Sequence, residues 1–319
     1  MEIIMKMSKL TKSFIAAAAL ASSGFANAGV IATSYLEITE LGIELDVDND
    51  GAIDDVDPND YISITSFSRT AGASADINGV GGSSTKANGD PLGTADPDLI
   101  CISAQCGSGI SLTNNTVNIS NLVYTDAFDY AVADSSVTGS ALSTDGASGF
   151  TYTDAGLSTF NNTAGAQSNI TNGLQTTINF SVKPTAGPLG VSFTAIFNAF
   201  VDAFADAASL ADSSITTIAS ASANFQILVL PDSSKGDAGS GFIADGLNFS
   251  DDVEGSDTGV NLVGQSLATG LSYVTAGDYQ ININQNSTSA VELVPEPASI
   301  AVLGLGLLGL AGATYRRKA

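Results

Sequence analysis

The stretch Tyr279-Gln280-Ile281-Asn282-Ile283-Asn284 sets a bulky apolar residue at every second position and a polar one between. A period of two belongs to an extended strand with one buried and one wet face, because successive side chains point to opposite sides. Working outward, the same period recurs in Thr177-Ile178-Asn179-Phe180-Ser181-Val182, in Tyr61-Ile62-Ser63-Ile64-Thr65 and in Leu36-Glu37-Ile38-Thr39. Asn224 to Leu230 reads as a strongly apolar strand that stops at Pro231-Asp232. Gly-, Asn- and Asp-rich segments separate the runs, and residues 72–94 and 231–246 read as the longest loops. Residues 194–211 fit two patterns. Ile196, Phe197, Phe200, Val201 and Phe204 recur with helical spacing, whereas Val191, Phe193, Ala195 and Phe197 alternate as a strand does, and the β-like surroundings favour the strand. The expected fold is all-β, a β-sandwich or jelly-roll of short strands.

Composition narrows the function. The chain has 319 residues with 33 acidic and ten basic side chains, no His and no Trp. Six of the basic residues lie near the ends, so residues 29–294 hold only Arg69, Lys86, Lys183 and Lys235 against 31 acids. Such a surface repels nucleic acid and anionic lipid, so neither is expected as a partner of the body. Without His, Ser-His-Asp and Cys-His catalysis are excluded, as is His-ligated metal chemistry. Gly79-Val80-Gly81-Gly82 does not lie between a strand and a helix, as a phosphate-binding loop must. Asp is too abundant for a glycosidase-like carboxylate pair to stand out, and no Trp is present to stack a sugar. The body therefore reads as non-enzymatic. Cys101 and Cys106 lie close together, and in an exported chain they are expected to form a local disulfide, free thiols being the alternative.

The two ends read as addresses. Lys6, Lys9 and Lys12 precede a short apolar run from Phe14 to Phe25, and Ala26-Asn27-Ala28 supplies the small residues of a signal-peptidase site around Ala26 and Ala28. The run is too short to span a bilayer, which needs about 20 residues. Residues 1–28 are thus expected to be a signal peptide and 29–294 an extracytoplasmic body. At the other end, Val294-Pro295-Glu296-Pro297 leads into an apolar segment and then Tyr315-Arg316-Arg317-Lys318. The prolines predict an extended, accessible linker. The apolar segment predicts a single transmembrane helix over about 298–315, with Arg316 and Arg317 holding the C-terminus in the cytoplasm.

This three-part tail, residues 295–319, resembles the PEP-CTERM sorting signal. The resemblance implies recognition of Pro295, Glu296 and Pro297 by exosortase, a membrane protease-transpeptidase found in bacteria that make exopolysaccharide and biofilm. It also implies export across the inner membrane, a transient membrane anchor, and a final place at the cell surface or in the extracellular matrix.

A second motif lies near the start of the body. Asp46-Val47-Asp48-Asn49-Asp50-Gly51-Ala52-Ile53-Asp54-Asp55-Val56-Asp57 follows the D-x-D-x-D-G pattern of calcium loops. Alternate carboxylates followed by a turn-forming Gly wrap oxygens around a hard cation, and without one they repel each other. Asp46, Asp48 and Asp50 are expected to bind Ca2+ by side chain and Ala52 by its carbonyl. Asp54 would bind directly or through water, and Asp57 would close the shell. The loop resembles EF-hand and dockerin loops and, more closely, the thrombospondin type 3 repeat, although Asp57 stands where an EF-hand has Glu and its flanks read as strands. The alternative is a solvated acidic turn. Taken together, the expected function is a calcium-stabilised structural protein of the cell surface or exopolysaccharide matrix. A polysaccharide-binding module or adhesin is the alternative.

Overall fold

A computed structural model describes residues 30–103, 106, 112–115, 129–157, 162–169, 176–184, 187–205, 215–231, 242–252 and 259–295. Alternation dominates them and yields fifteen strands: β1 (Val30–Asp46), β2 (Ile62–Ile77), β3 (Val80–Asn88), β4 (Thr94–Ala95), β5 (Ile100–Ile102), β6 (Tyr130–Gly139), β7 (Ala147–Leu157), β8 (Asn162–Asn169), β9 (Thr176–Val182), β10 (Leu189–Ala205), β11 (Ile215–Pro231), β12 (Phe242–Asp252), β13 (Val260–Ala268), β14 (Ser272–Val274) and β15 (Gly277–Pro295). One helical turn, α1 (Pro58–Tyr61), interrupts them. The body is all-β, as its alternation predicts.

Two antiparallel sheets form. The eight-stranded sheet runs β13-β10-β1-β7-β6-β4, with β14 added to β10 and β5 to β6. The seven-stranded sheet runs β12-β11-β15-β8-β2-β3, with β9 joining β15 to β2. Hydrogen bonds cross between the sheets: Ser34 Oγ donates to the Ser222 carbonyl at 2.6 Å, and Gln285 Nε2 to the Leu36 carbonyl at 2.7 Å. The sheets therefore face each other as two layers over one interior.

Register gives the layers two ends. β1 runs from Val30, opposite Ala205, to Asp46, opposite Gly190. β11 runs from Ile215, opposite Pro295, to Pro231, opposite Tyr279. Seventeen residues at about 3.3 Å each put roughly 55 Å between the Pro295 rim and the Asp46 rim.

The interior differs along that length. Towards Asp46 it is filled by Leu45, Val191, Phe193, Phe180, Val182, Tyr279 and Ile281, all buried. The Phe180 and Tyr279 rings stack there with centroids 5.6 Å apart. Towards Pro295 the inward residues are mostly small, among them Ala32, Ser34, Ala133, Thr153, Ala155, Ala219, Ala221, Ala223, Ser287 and Ser289, with Val30, Leu157, Val201 and Val291 as the larger ones. In that half the hydroxyls bond across the layers: Thr153 to Ser289 at 2.7 Å, Ser287 to Thr151 at 2.9 Å, and Ser135 to the Gly72 carbonyl at 3.0 Å.

The loop expected over residues 72–94 is instead mostly a hairpin of β2 and β3. Its turn is Asn78-Gly79, with φ of 53° and 74°. Left-handed geometry at both central residues matches the strand twist, which makes Asn-Gly a hairpin signal. The segment expected as a loop over 231–246 contributes Phe242 onward to β12, and 232–241 lie outside the described residues. Residues 194–205 are strand, within β10, and 206–211 lie outside the described residues. Strands are also longer than their legible centres: β10 and β11 have 17 residues and β15 has 19.

Candidate functional site

The acidic loop closes the Asp46 end. β1 delivers Asp46 with no exposed surface, and the next residues turn back so that Asp54 N–H meets the Leu45 carbonyl at 2.8 Å. The turn is built from side chain to backbone bonds. Asp46 accepts from the N–H of Asn49 at 2.7 Å and of Gly51 at 3.1 Å; Asp48 accepts from Asp50 N–H and Asp50 from Ala52 N–H. Asn49 (φ 63°) and Gly51 (φ 89°) take left-handed conformations, which costs Gly little. The result gathers one carboxylate oxygen each of Asp46, Asp48 and Asp50 within 4.8 Å of one another.

Three converging carboxylates suit a hard divalent cation, for which Ca2+ accepts six to eight oxygens at about 2.3–2.6 Å. Two of the three, Asp48 and Asp50, are exposed, so water has access to the remaining positions. The gathered cluster is smaller than the sequence predicts. Asp54 stands outside it, its carboxylate accepting from Val47 N–H at 2.7 Å. Asp57 is also outside it and caps α1, accepting from Asn59 N–H at 2.9 Å. The physical reason is local: Pro58 in the first turn of α1 starts a helix, and a helix start needs a capping acceptor. Ala52 contributes its N–H to the turn.

One member of the site is not visible in the motif. Tyr273, from β14, donates its hydroxyl to Asp46 Oδ2 at 3.0 Å across 227 residues. Burial works to raise the Asp46 carboxyl, but the bonds from Tyr273, Gly51, Asn49 and Asp50 outweigh it and hold its pKa below the usual carboxylate value. The same bond to Asp46 raises the Tyr273 hydroxyl.

A second polar centre lies on the outer face of the eight-stranded sheet, over the Pro295 half. Buried Asp154 accepts from Thr33 and from the hydroxyls of Tyr130 and Tyr152, each at 3.0–3.1 Å. Around it Tyr35, Tyr130, Val132, Phe150, Tyr152 and Phe200 form a buried cluster covered by Cys101, Leu112 and Val263. Cys101 and Cys106 are joined as a disulfide, with Cα atoms 5.9 Å apart. Beside it, burial pushes Asp134 up to about 7, helped by the charge of Asp96 and opposed by the backbone N–H groups of Asn115 and Ser135. Asn114 and Asn115 in turn donate their amides to Asp96. These polar residues are scattered in sequence, and only the folded register brings them together.

The sorting residues lie at the other rim. β15 carries Leu293, Val294 and Pro295 into the seven-stranded sheet, opposite Thr217, Thr216 and Ile215. The linker expected to begin at Pro295 is therefore still strand at that residue. A proline is tolerated there because it ends the strand. Glu296, Pro297, Arg316 and Arg317, the apolar segment at 298–315, and the signal peptide with Ala26 and Ala28 lie outside the described residues. Among the described residues no helix is long and apolar enough to cross a membrane.

Comparison with known families matches the PEP-CTERM protein-sorting motif to residues 293–318. No curated protein and no solved structure matches the chain. Fold and motif together define the class: an all-β body bearing a C-terminal sorting signal. The motif marks the chain as an exported exosortase substrate, sorted to the cell surface.

Proposed function

We propose that this chain is a structural, non-enzymatic protein of the cell surface or exopolysaccharide matrix, its body spanning residues 29–294 and stabilised by Ca2+ held at Asp46, Asp48 and Asp50. The observation that carries the reading is the sorting motif, which begins on the last strand of a body that is almost wholly sheet. Export with sorting delivers the body outside the inner membrane, where calcium at millimolar level would fill even a weak site. The absence of His from the chain supports a body that holds its shape rather than transforms a substrate. The 298–315 segment would anchor the chain until exosortase acts at Pro295 to Pro297.

Fractionation tests it. Tagged wild-type protein is expected in the matrix and outer-surface fractions, and Pro295→Ala with Pro297→Ala is expected to leave it in the inner membrane. Deleting the gene is expected to weaken biofilm cohesion. A protein that stays periplasmic, with cohesion unchanged on deletion, would refute the matrix role.

A further inference from the structure

The two sheets present unlike outer faces. That of the eight-stranded sheet is covered by the aromatic layer beneath Cys101, Leu112 and Val263. That of the seven-stranded sheet is a field of amides and hydroxyls. Along β15 the outward residues between Asp278 and Glu292 are Gln280, Asn282, Asn284, Asn286, Thr288 and Ala290, none of them charged. In a chain with 33 acidic residues, so long an uncharged row is unusual, and the exposed acids of this sheet, Asp76 on β2 and Asp252 on β12, lie away from it.

The amides fall into two sets. One is tied down: Thr177 donates to Asn282, Asn282 to Gln280, Gln280 to Asn179, and Asn179 to Ser66. The other is a square at the centre of the sheet, with Asn224 opposite Asn286 and Gln226 opposite Asn284. Asn286 Oδ1 in that square is buried and has no hydrogen-bond partner. Gln226, the exposed member of the square, holds its amide open to an incoming ligand.

We propose that this face docks an uncharged polysaccharide chain, with Asn224, Gln226, Asn284 and Asn286 as its central contacts. Each amide offers two donors and an acceptor, and a sugar hydroxyl is both donor and acceptor, so the two surfaces are complementary. Strand spacing of about 4.8 Å and a same-face repeat of about 7 Å set these groups on a lattice that suits a repeating polymer. Neutrality selects the ligand further, because the acidic body repels polyanions while amides bind hydroxyls without desolvating an ion. Leu228 and Leu230 lie beside the tied amides, opposite Asn282 and Gln280, and offer apolar contact to the C–H faces of sugar rings. Leu230 is 37 % exposed. The inference rests on the matrix reading above and adds to it a surface and a partner.

The test is affinity electrophoresis of the detergent-solubilised full chain through gels containing dextran, a β-glucan, a galactomannan or alginate. Retardation is expected by at least one of the three neutral polymers and not by alginate. Gln226→Glu with Asn284→Asp, which keep size but add charge, are expected to weaken it roughly tenfold or more. Asn261→Asp, which adds the same charge at an exposed position on β13 of the other sheet, is expected to retain binding, and a far-UV circular dichroism spectrum of the double variant matching wild type separates loss of contact from loss of fold. The inference is overturned by mobility unchanged in all three neutral gels, by retardation that the charged substitutions do not alter, or by equal retardation in alginate. Sedimentation showing a dimer that the same substitutions dissociate would also overturn it, assigning the face to a second copy of the chain. Matrix fractionation is scored separately. Matrix retention without glycan binding removes this inference alone, and glycan binding without matrix retention removes the matrix reading alone.

Discussion

Near Leu45 and Val182 the two sheets are filled by Phe, Leu, Ile and Tyr, whereas near Ser34 and Ser289 they meet mostly over Ala, Ser and Thr, with Val and Leu as the largest side chains. In the first half, stability comes from apolar area, with about 1.5–3 kcal/mol for each large side chain buried. That force is non-directional and does not by itself fix how one sheet slides on the other. In the second half each hydrogen bond contributes only about 0.5–1.5 kcal/mol net, but it is directional. Ser34 reaching the Ser222 carbonyl, and Gln285 the Leu36 carbonyl, tie specific residues of one layer to specific residues of the other. The apolar half supplies most of the stability, and the hydroxyl half fixes the alignment.

Four measurements would break or sharpen that contrast. Phe193→Ala, in the apolar half, is expected to cost about 3–5 kcal/mol in urea unfolding. A loss equal to that of Ala221→Gly in the other half would end the distinction. A pH series probes the outer face over the hydroxyl half. Asp134, raised from 3.8 to about 7 by burial, binds its proton more tightly folded than unfolded. Its contribution is therefore complete below about pH 4 and is lost as pH rises to about 7, on the order of a few kcal/mol. Asp134→Asn is expected to flatten this part of the stability curve.

The seam itself is tested by a double-mutant cycle. Ser289→Ala leaves the buried Thr153 hydroxyl without its 2.7 Å partner and is expected to cost about 1–3 kcal/mol, whereas Thr153→Val leaves Ser289 its bond to the Thr153 carbonyl and is expected to cost less. The pair together should cost less than the sum; strict additivity would show that the bond does not couple the sheets. The smallest effect is expected from calcium, which should raise the melting temperature by a few degrees and slow amide exchange at Leu45 and Val191 more than at Ser34 and Thr153. Asp48→Ala with Asp50→Ala should abolish both changes, and no response to calcium or chelator in the wild type would reduce the loop to an acidic turn.

The same contrast explains what the sequence reveals. Residues 279–284 and 177–182 are legible because large apolar and polar residues alternate, and they lie in the apolar half. Ala219 to Ala223 and Gln285 to Ser289 are equally regular strands, yet their inward residues are Ala, Gln and Ser, so hydropathy shows no contrast. The Asn78-Gly79 hairpin was available to turn chemistry, although its Gly- and Ser-rich flanks mimic a loop. At the candidate metal site, Asp46, Asp48 and Asp50 are local and legible. Tyr273 is not, because only the pairing of β14 with β10 carries it there. The capping role of Asp57 competes with ligation in a way that spacing alone does not express.

The last strand sets a limit on processing and an order on folding. β15 is flanked along its length by β11 on one side and by β8 and β9 on the other. The seven-stranded sheet therefore cannot close until the C-terminal strand has arrived, and its many distant pairings make that a late step. Because the sorting motif starts at residue 293, within those pairings, a cut upstream of it would strip contacts from both neighbours. Maturation and folding share the same few residues, so a mature product that keeps its shape must keep this strand.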